Sequence, residues 1–86
     1  MNTVWIAKVT DPDNVLEKLS AFVSRKDAEE AIERMVKLFA TDNDIPKDEI
    51  RGHITLGHTI YVVRSQCFEA RKYPVFDHLP QNGTGA

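Results

Sequence analysis

Between Val23 and Thr41 the chain reads VSRKDAEEAIERMVKLFAT, and here apolar period, cap and charge order all describe an amphipathic helix. Ser24 is placed to accept from the backbone NH of Asp27, with the Asp27 carboxylate directed back toward the first turn, so a helix is expected over 25–41. Ala28, Ala31, Ile32, Met35, Val36, Leu38 and Phe39 recur every three or four residues and make one broad apolar stripe. The other side carries Lys26, Glu29, Glu30, Glu33, Arg34 and Lys37. Glu30–Arg34 and Glu33–Lys37 stand four apart in the favourable order, each pair contributing about 0.3 kcal/mol. Acids gather in the first turns and bases toward the end, as the helix dipole prefers. The charged side reads as a solvated face, and the stripe as one wall of a core.

One helix cannot bury its own stripe, and the remaining sequence offers strands to meet it. TVWIAKV, residues 3–9, is β-branched and aromatic, with Trp5, Ala7 and Val9 on one side and Val4, Ile6 and Lys8 on the other. Both sides are partly apolar, which suits an inner strand. TDPDN, residues 10–14, has turn chemistry. VLEKLSAFV, residues 15–23, fits two patterns: Val15, Leu16, Leu19, Phe22 and Val23 at helical spacing, or Leu19, Ala21 and Val23 alternating as a strand. A helix here would abut the Ser24 cap with no connecting residues, so a strand hairpinned to the first is favoured and the helix stays open as the alternative.

After the helix, TDNDIPKDEI breaks regularity, and Pro46 can open a single helical turn ending near Ile50. Asp42, Asp44, Asp48 and Glu49 lack the glycine and the spacing of a calcium loop, so they read as a solvated connector. The strongest β signal is GHITLGHTIYVVRSQCFE, which reads as strands 51–57 and 59–69 around a two-residue turn, Gly57–His58, with glycine first. That register pairs Leu56 with Thr59, Ile54 with Tyr61 and His53 with Val62. One face then holds Ile54, Leu56, Tyr61, Val63 and Cys67, packed on the helix. The other holds His53, Thr55, Ile60, Val62, Arg64 and Phe68, too apolar to be left in water without a covering layer or a binding role. Beyond Ala70, Tyr73, Val75, Phe76 and Leu79 are expected to fold back on the open face, with 81–86 a disordered tail to a single domain of residues 1–80.

LSAFVSRKDAEEAI, residues 19–32, resembles the strand-to-helix junction of small bacterial and phage domains of unknown function, which run strand, turn, strand ending in F-x-S, then a helix opening with Ala and acids. Phe22, Ser24 and Ala28 carry the match, over about a third of the chain. The resemblance implies the hairpin-then-helix order and no activity.

Composition narrows the function classes. At 86 residues the chain has room for one small core and little for a deep cleft. Its one cysteine precludes an internal disulfide and fits a reducing compartment. No apolar run matches a bilayer and the N-terminus lacks a signal-peptide pattern, so a cytoplasmic, membrane-independent protein is expected. Residues 1–50 carry net −4 and residues 51–86 net +2, an imbalance too small for a general nucleic-acid binder. His53, His58, His78 and Cys67 show no zinc spacing, and His53 stands opposite Cys67 in this register, so no metal is expected. Cys67 reads as a small core residue, and with no paired carboxylates or phosphate loop the chain is expected to be neither an enzyme nor a cofactor binder.

The expected fold is thus α+β, a mostly antiparallel sheet of three or four strands (3–9, 15–23, 51–57, 59–69) with the helix 25–41 on one face. The expected function is non-catalytic protein binding through His53, Thr55, Ile60, Val62, Arg64 and Phe68. The partner is a second copy or a larger protein, for instance a host defence enzyme blocked by a phage inhibitor. The alternative is single-stranded nucleic acid held by Arg64, Arg71, Lys72 and Tyr73, where bases and aromatics interleave.

Overall fold

Ser24 begins the helix as its sequence position requires: its Oγ accepts from the Asp27 backbone NH at 3.2 Å in the computed structural model, which describes residues 3–74. The elements, in chain order, are β1 Thr3–Thr10, β2 Leu16–Phe22, α1 Arg25–Asp42, β3 Ile50–Thr55, β4 His58–Val63 and β5 Gln66–Pro74, with a short 3-10 turn at Lys47–Glu49 after Pro46. The strands form one antiparallel sheet in the order β2-β1-β5-β4-β3. Among the described residues there are five strands, one more than the upper expectation.

Ala28, Ile32 and Val36 bury fully against the sheet, with Ala31, Met35, Phe39 and Ala40 packed beside them. Leu38 is 58 % exposed and does not belong to the stripe. The charge design also differs from expectation. The i,i+4 ion pair on α1 is Arg25–Glu29 at 3.1 Å, Glu33 instead accepts from the Tyr61 hydroxyl at 3.3 Å, and the last turn carries no base. The helix ends in a Schellman arrangement: Asp44 takes φ 53°, its NH reaches Thr41 O at 3.4 Å, and Ile45 NH reaches Ala40 O at 2.8 Å. Ile45 buries its side chain there and closes that end of the core.

Residues 16–22 are a strand, so the helical alternative falls. Asp11 builds the β1–β2 turn, its Oδ1 accepting from Asp13 NH at 2.9 Å and Val15 NH at 2.8 Å. β1 is hydrogen-bonded on both edges, as its two apolar sides suggested.

The β3–β4 turn falls one residue earlier than expected, at Leu56–Gly57, with Thr55 opposite His58. Gly57 is second in the turn and has no left-handed φ. Arg25 accounts for the shift. Its guanidinium donates to Leu56 O and Thr55 O, both at 2.6 Å, and to Thr59 Oγ1 at 3.0 Å, while lying 5.0 Å over the Trp5 ring. Leu56 is left 92 % exposed, outside the face assigned to it. Gly52 serves another purpose: a Cβ there would stand 3.0 Å from Tyr61 Cε1, so the glycine makes space for the ring.

Residues 59–69 are not one strand. The chain reverses at Arg64–Ser65, both left-handed with φ 49° and 69°, the pair of signs a tight two-residue hairpin needs. Val63 pairs with Gln66 across the turn, so even-numbered residues of β5 join odd-numbered residues of β4 on one face. Phe68 therefore lies in the core, 2 % exposed, with its ring 5.7 Å from that of Phe39, and Cys67 turns to the other side. Trp5, Ala7, Val9, Val63 and Ala70 complete this wall. Residues 70–74 continue β5 where a fold-back segment was expected; the expectations for Val75, Phe76, Leu79 and the 81–86 tail lie outside the described residues.

Truncating Phe68 to Ala is expected to destabilise the domain by about 3–5 kcal/mol in urea denaturation. A loss of no more than ~0.5 kcal/mol, ordinary for a surface position, would return Phe68 to the free face.

Candidate functional site

Each strand alternates, so the sheet side opposite the helix is fixed by register. Across it run Leu19–Lys8–Glu69–Ile60–His53, then Ala21–Ile6–Arg71–His58–Thr55, then Leu16–Thr10–Cys67–Val62–Arg51, with Val4 beside Tyr73 at one end. Inner positions on this side, among them Ile6, Ile60 and Val62, are half-buried, and the edge residues Leu16 and Leu19 are exposed.

Its centre is polar and paired. Glu69 Oε1 lies 2.8 Å from His58 Nε2, its Oε2 lies 3.7 Å from Lys8 Nζ, and the Cys67 thiol points at the same oxygen from 3.8 Å. Burial pushes the Cys67 pKa up, and the Glu69 charge and hydrogen bond push it further against a small opposing pull from Lys8. The fold therefore keeps Cys67 as a thiol, the inert form for nucleophilic attack. A shallow, open depression of 380 Å³ beside it is lined by Lys8, Thr10, Asn14, Leu16, Cys67 and Glu69.

Four of the six expected protein-binding residues share this open side: His53, Thr55, Ile60 and Val62. Phe68 does not, because the Arg64–Ser65 reversal carries it under the helix. Arg64 sits in that reversal and forks onto Glu49, Nε to Oε1 at 2.9 Å and Nη2 to Oε2 at 3.3 Å. This contact holds the Glu49 carboxyl below its ordinary pKa.

The expected nucleic-acid patch also divides. Arg71 and Tyr73 reach the open side, whereas Lys72 lies opposite Trp5 on the helix side. His53 and Cys67 share a face after all, but β4 runs between their strands, and two strand spacings put roughly 10 Å of sheet between them. Among the described residues no three of His, Cys, Asp and Glu converge to hold a metal ion, and no helix is long and apolar enough to cross a membrane.

Sequence reasoning missed Lys8, Glu69, His58 and Arg51 as members of one surface. Lys8 and Glu69 meet only through the β1–β5 pairing, across some sixty residues of chain, which no local pattern announces. No family model matches the chain, and neither a curated protein nor a solved structure does.

Because the folded state favours the neutral thiol, the Cys67 contribution to stability is full below the ordinary thiol pKa and is lost as pH rises through the raised value. Alkylation of Cys67 by iodoacetamide should keep accelerating above pH 9.0, the ordinary value, and Glu69→Gln should move that rise to lower pH by removing the opposing charge. Superimposable rate profiles for the two proteins would contradict the contact.

Proposed function

We propose that this is a non-catalytic protein-binding domain whose working surface is the open side of the sheet. The observation that carries the reading is the apolar content of that side, half-buried Ile6 on β1 and Ile60 and Val62 on β4 with exposed Leu16 and Leu19 on β2, opposite to the only helix among the described residues. Apolar side chains flanking a paired polar centre, here Lys8, Glu69 and His58, match the mixed composition of a non-obligate protein contact. Burial and the Glu69 charge raise the pKa of the Cys67 thiol on this open side, which supports binding over nucleophilic catalysis. The partner is a second copy or a larger protein; occlusion of an enzyme is the narrower form, which rests on the small size and the resemblance of the strand-to-helix junction to small bacterial and phage domains of unknown function.

Arg71 and Tyr73, sharing the open side with Lys8 and Arg51, favour single-stranded nucleic acid as the second reading. Against it stand Glu69 at the centre of the same surface, the engagement of Arg64 by Glu49, and the placement of Lys72 on the other face.

Val62→Glu places a carboxylate on the half-buried open side without touching the helix-side core. Immobilised wild-type protein is expected to retain one defined protein from source-cell extract, or a second copy of itself by light scattering, and the variant to lose it with an unchanged circular dichroism spectrum. Equal retention by both proteins would remove the open side from the function, and a melted variant would show that Val62 belongs to the core.

A further inference from the structure

Among the described residues the sheet ends in two unpaired edges, and they are not alike. β2 is guarded: its register against β1 slips between Val9 and Thr10, leaving a bulge at Glu17, and Glu17 and Lys18 lie within the strand. Bulges and charges of this kind are how natural edge strands avoid pairing with other chains. β3, Ile50–Thr55, carries one charge, Arg51, but neither proline nor bulge, and its pairing with β4 is continuous from Ile50 to Thr55. Among the described residues no strand pairs with its outer edge, and Arg25 engages the Thr55 carbonyl at its end.

The charge carried by that hairpin itself is of one sign. The hairpin from Ile50 to Val63 contains Arg51, His53 and His58 and no acid at all. Arg51 and His53 alternate on the open side, while Ile54, 64 % exposed, stands on the helix side next to the Tyr61 ring over Gly52. A strand added here would meet Arg51 and His53 with one set of alternate side chains and an apolar ledge with the other.

We propose that β3 takes up an extended acidic segment of the partner protein as a sixth strand, with acids at every second position facing Arg51 and His53 and apolar residues between them facing Ile54 and Tyr61. This rests on the protein-binding reading and names the edge and the partner chemistry within it. Charge complementarity selects the occupant: the β3–β4 hairpin has no acid with which to attract a basic segment, and a second β3 would bring a second Arg51 to the same edge.

The probe is a capped heptapeptide alternating Glu and Val, compared with its Lys/Val counterpart and with a short oligothymidylate. The full chain is followed by amide hydrogen exchange and by titration at two salt concentrations. The Glu/Val peptide is expected to bind, to slow exchange in β3 and not β2, and to weaken with salt; the Lys/Val peptide is expected not to bind. Arg51→Glu, at an exposed position, is expected to lower the Glu/Val affinity by about tenfold or more while leaving the melting temperature unchanged. Absent binding, binding indifferent to peptide charge, protection of β2, tighter binding of the oligothymidylate, or self-association through β3 would each overturn the proposal. None of these bears on the capture experiment with Val62→Glu, which reads the open side against the natural partner, so a failed edge and a failed function are told apart.

Discussion

Arg64 and Ser65 turn the chain with both residues left-handed, a conformation that costs a residue with a side chain roughly 1–2 kcal/mol. The hairpin holds it there because both flanking residues, Val63 and Gln66, are buried and because Arg64 forks onto Glu49 in the preceding 3-10 turn. The consequence is one of parity. A two-residue connection places Gln66, Phe68 and Ala70 on the helix side and Cys67, Glu69 and Arg71 on the other. Had the strand continued straight, Cys67 would occupy the core and the Lys8–Glu69–His58 contact would not exist.

The core this parity assembles is narrow. α1 lies over β5, β1, β2 and β4, where Phe68, Ala70, Trp5 and Ala7 meet Ala28, Ile32 and Val36. Its N-terminal end is pinned by Arg25, whose guanidinium joins Trp5, Glu29, Thr59 and the β3–β4 turn in one contact set. Glu29 in turn accepts from the Thr59 hydroxyl, a 1 % exposed residue whose polar group needs that partner. Side chains on one element thereby tie the start of the helix to the end of a hairpin thirty residues away. One helix cannot cover both sides of a five-stranded sheet, and the side it leaves is where the unassigned chemistry gathers.

What the sequence made legible was local. The Ser24 cap, the stripe from Ala28 to Phe39, the inner character of β1 and the short turn after Pro46 each depend on neighbours within a few residues. The faces of β3 and β4 were also readable, since moving the first turn by one residue changed the pairs without changing the alternation; His53, Thr55, Ile60 and Val62 were assigned to the open side on that basis. Two things were not readable. The Arg64–Ser65 turn has none of the Gly, Asn or Asp that usually signals left-handed backbone, and missing it inverted everything after Val63, which is why Phe68 and Cys67 changed places. The pairing of β1 with β5 is long-range, and with it the meeting of Lys8 and Glu69.

The central claim is that parity set by Arg64–Ser65 puts Phe68 beneath the helix and leaves the opposite sheet surface uncovered by it. Nuclear Overhauser contacts from the Phe68 ring test this directly in the free protein. The account predicts contacts to the Phe39 ring, whose centroid is 5.7 Å away, and to Ile32, with none to Ile60 or Val62. Contacts from Phe68 to Ile60 and Val62, with Cys67 facing the helix instead, would contradict it.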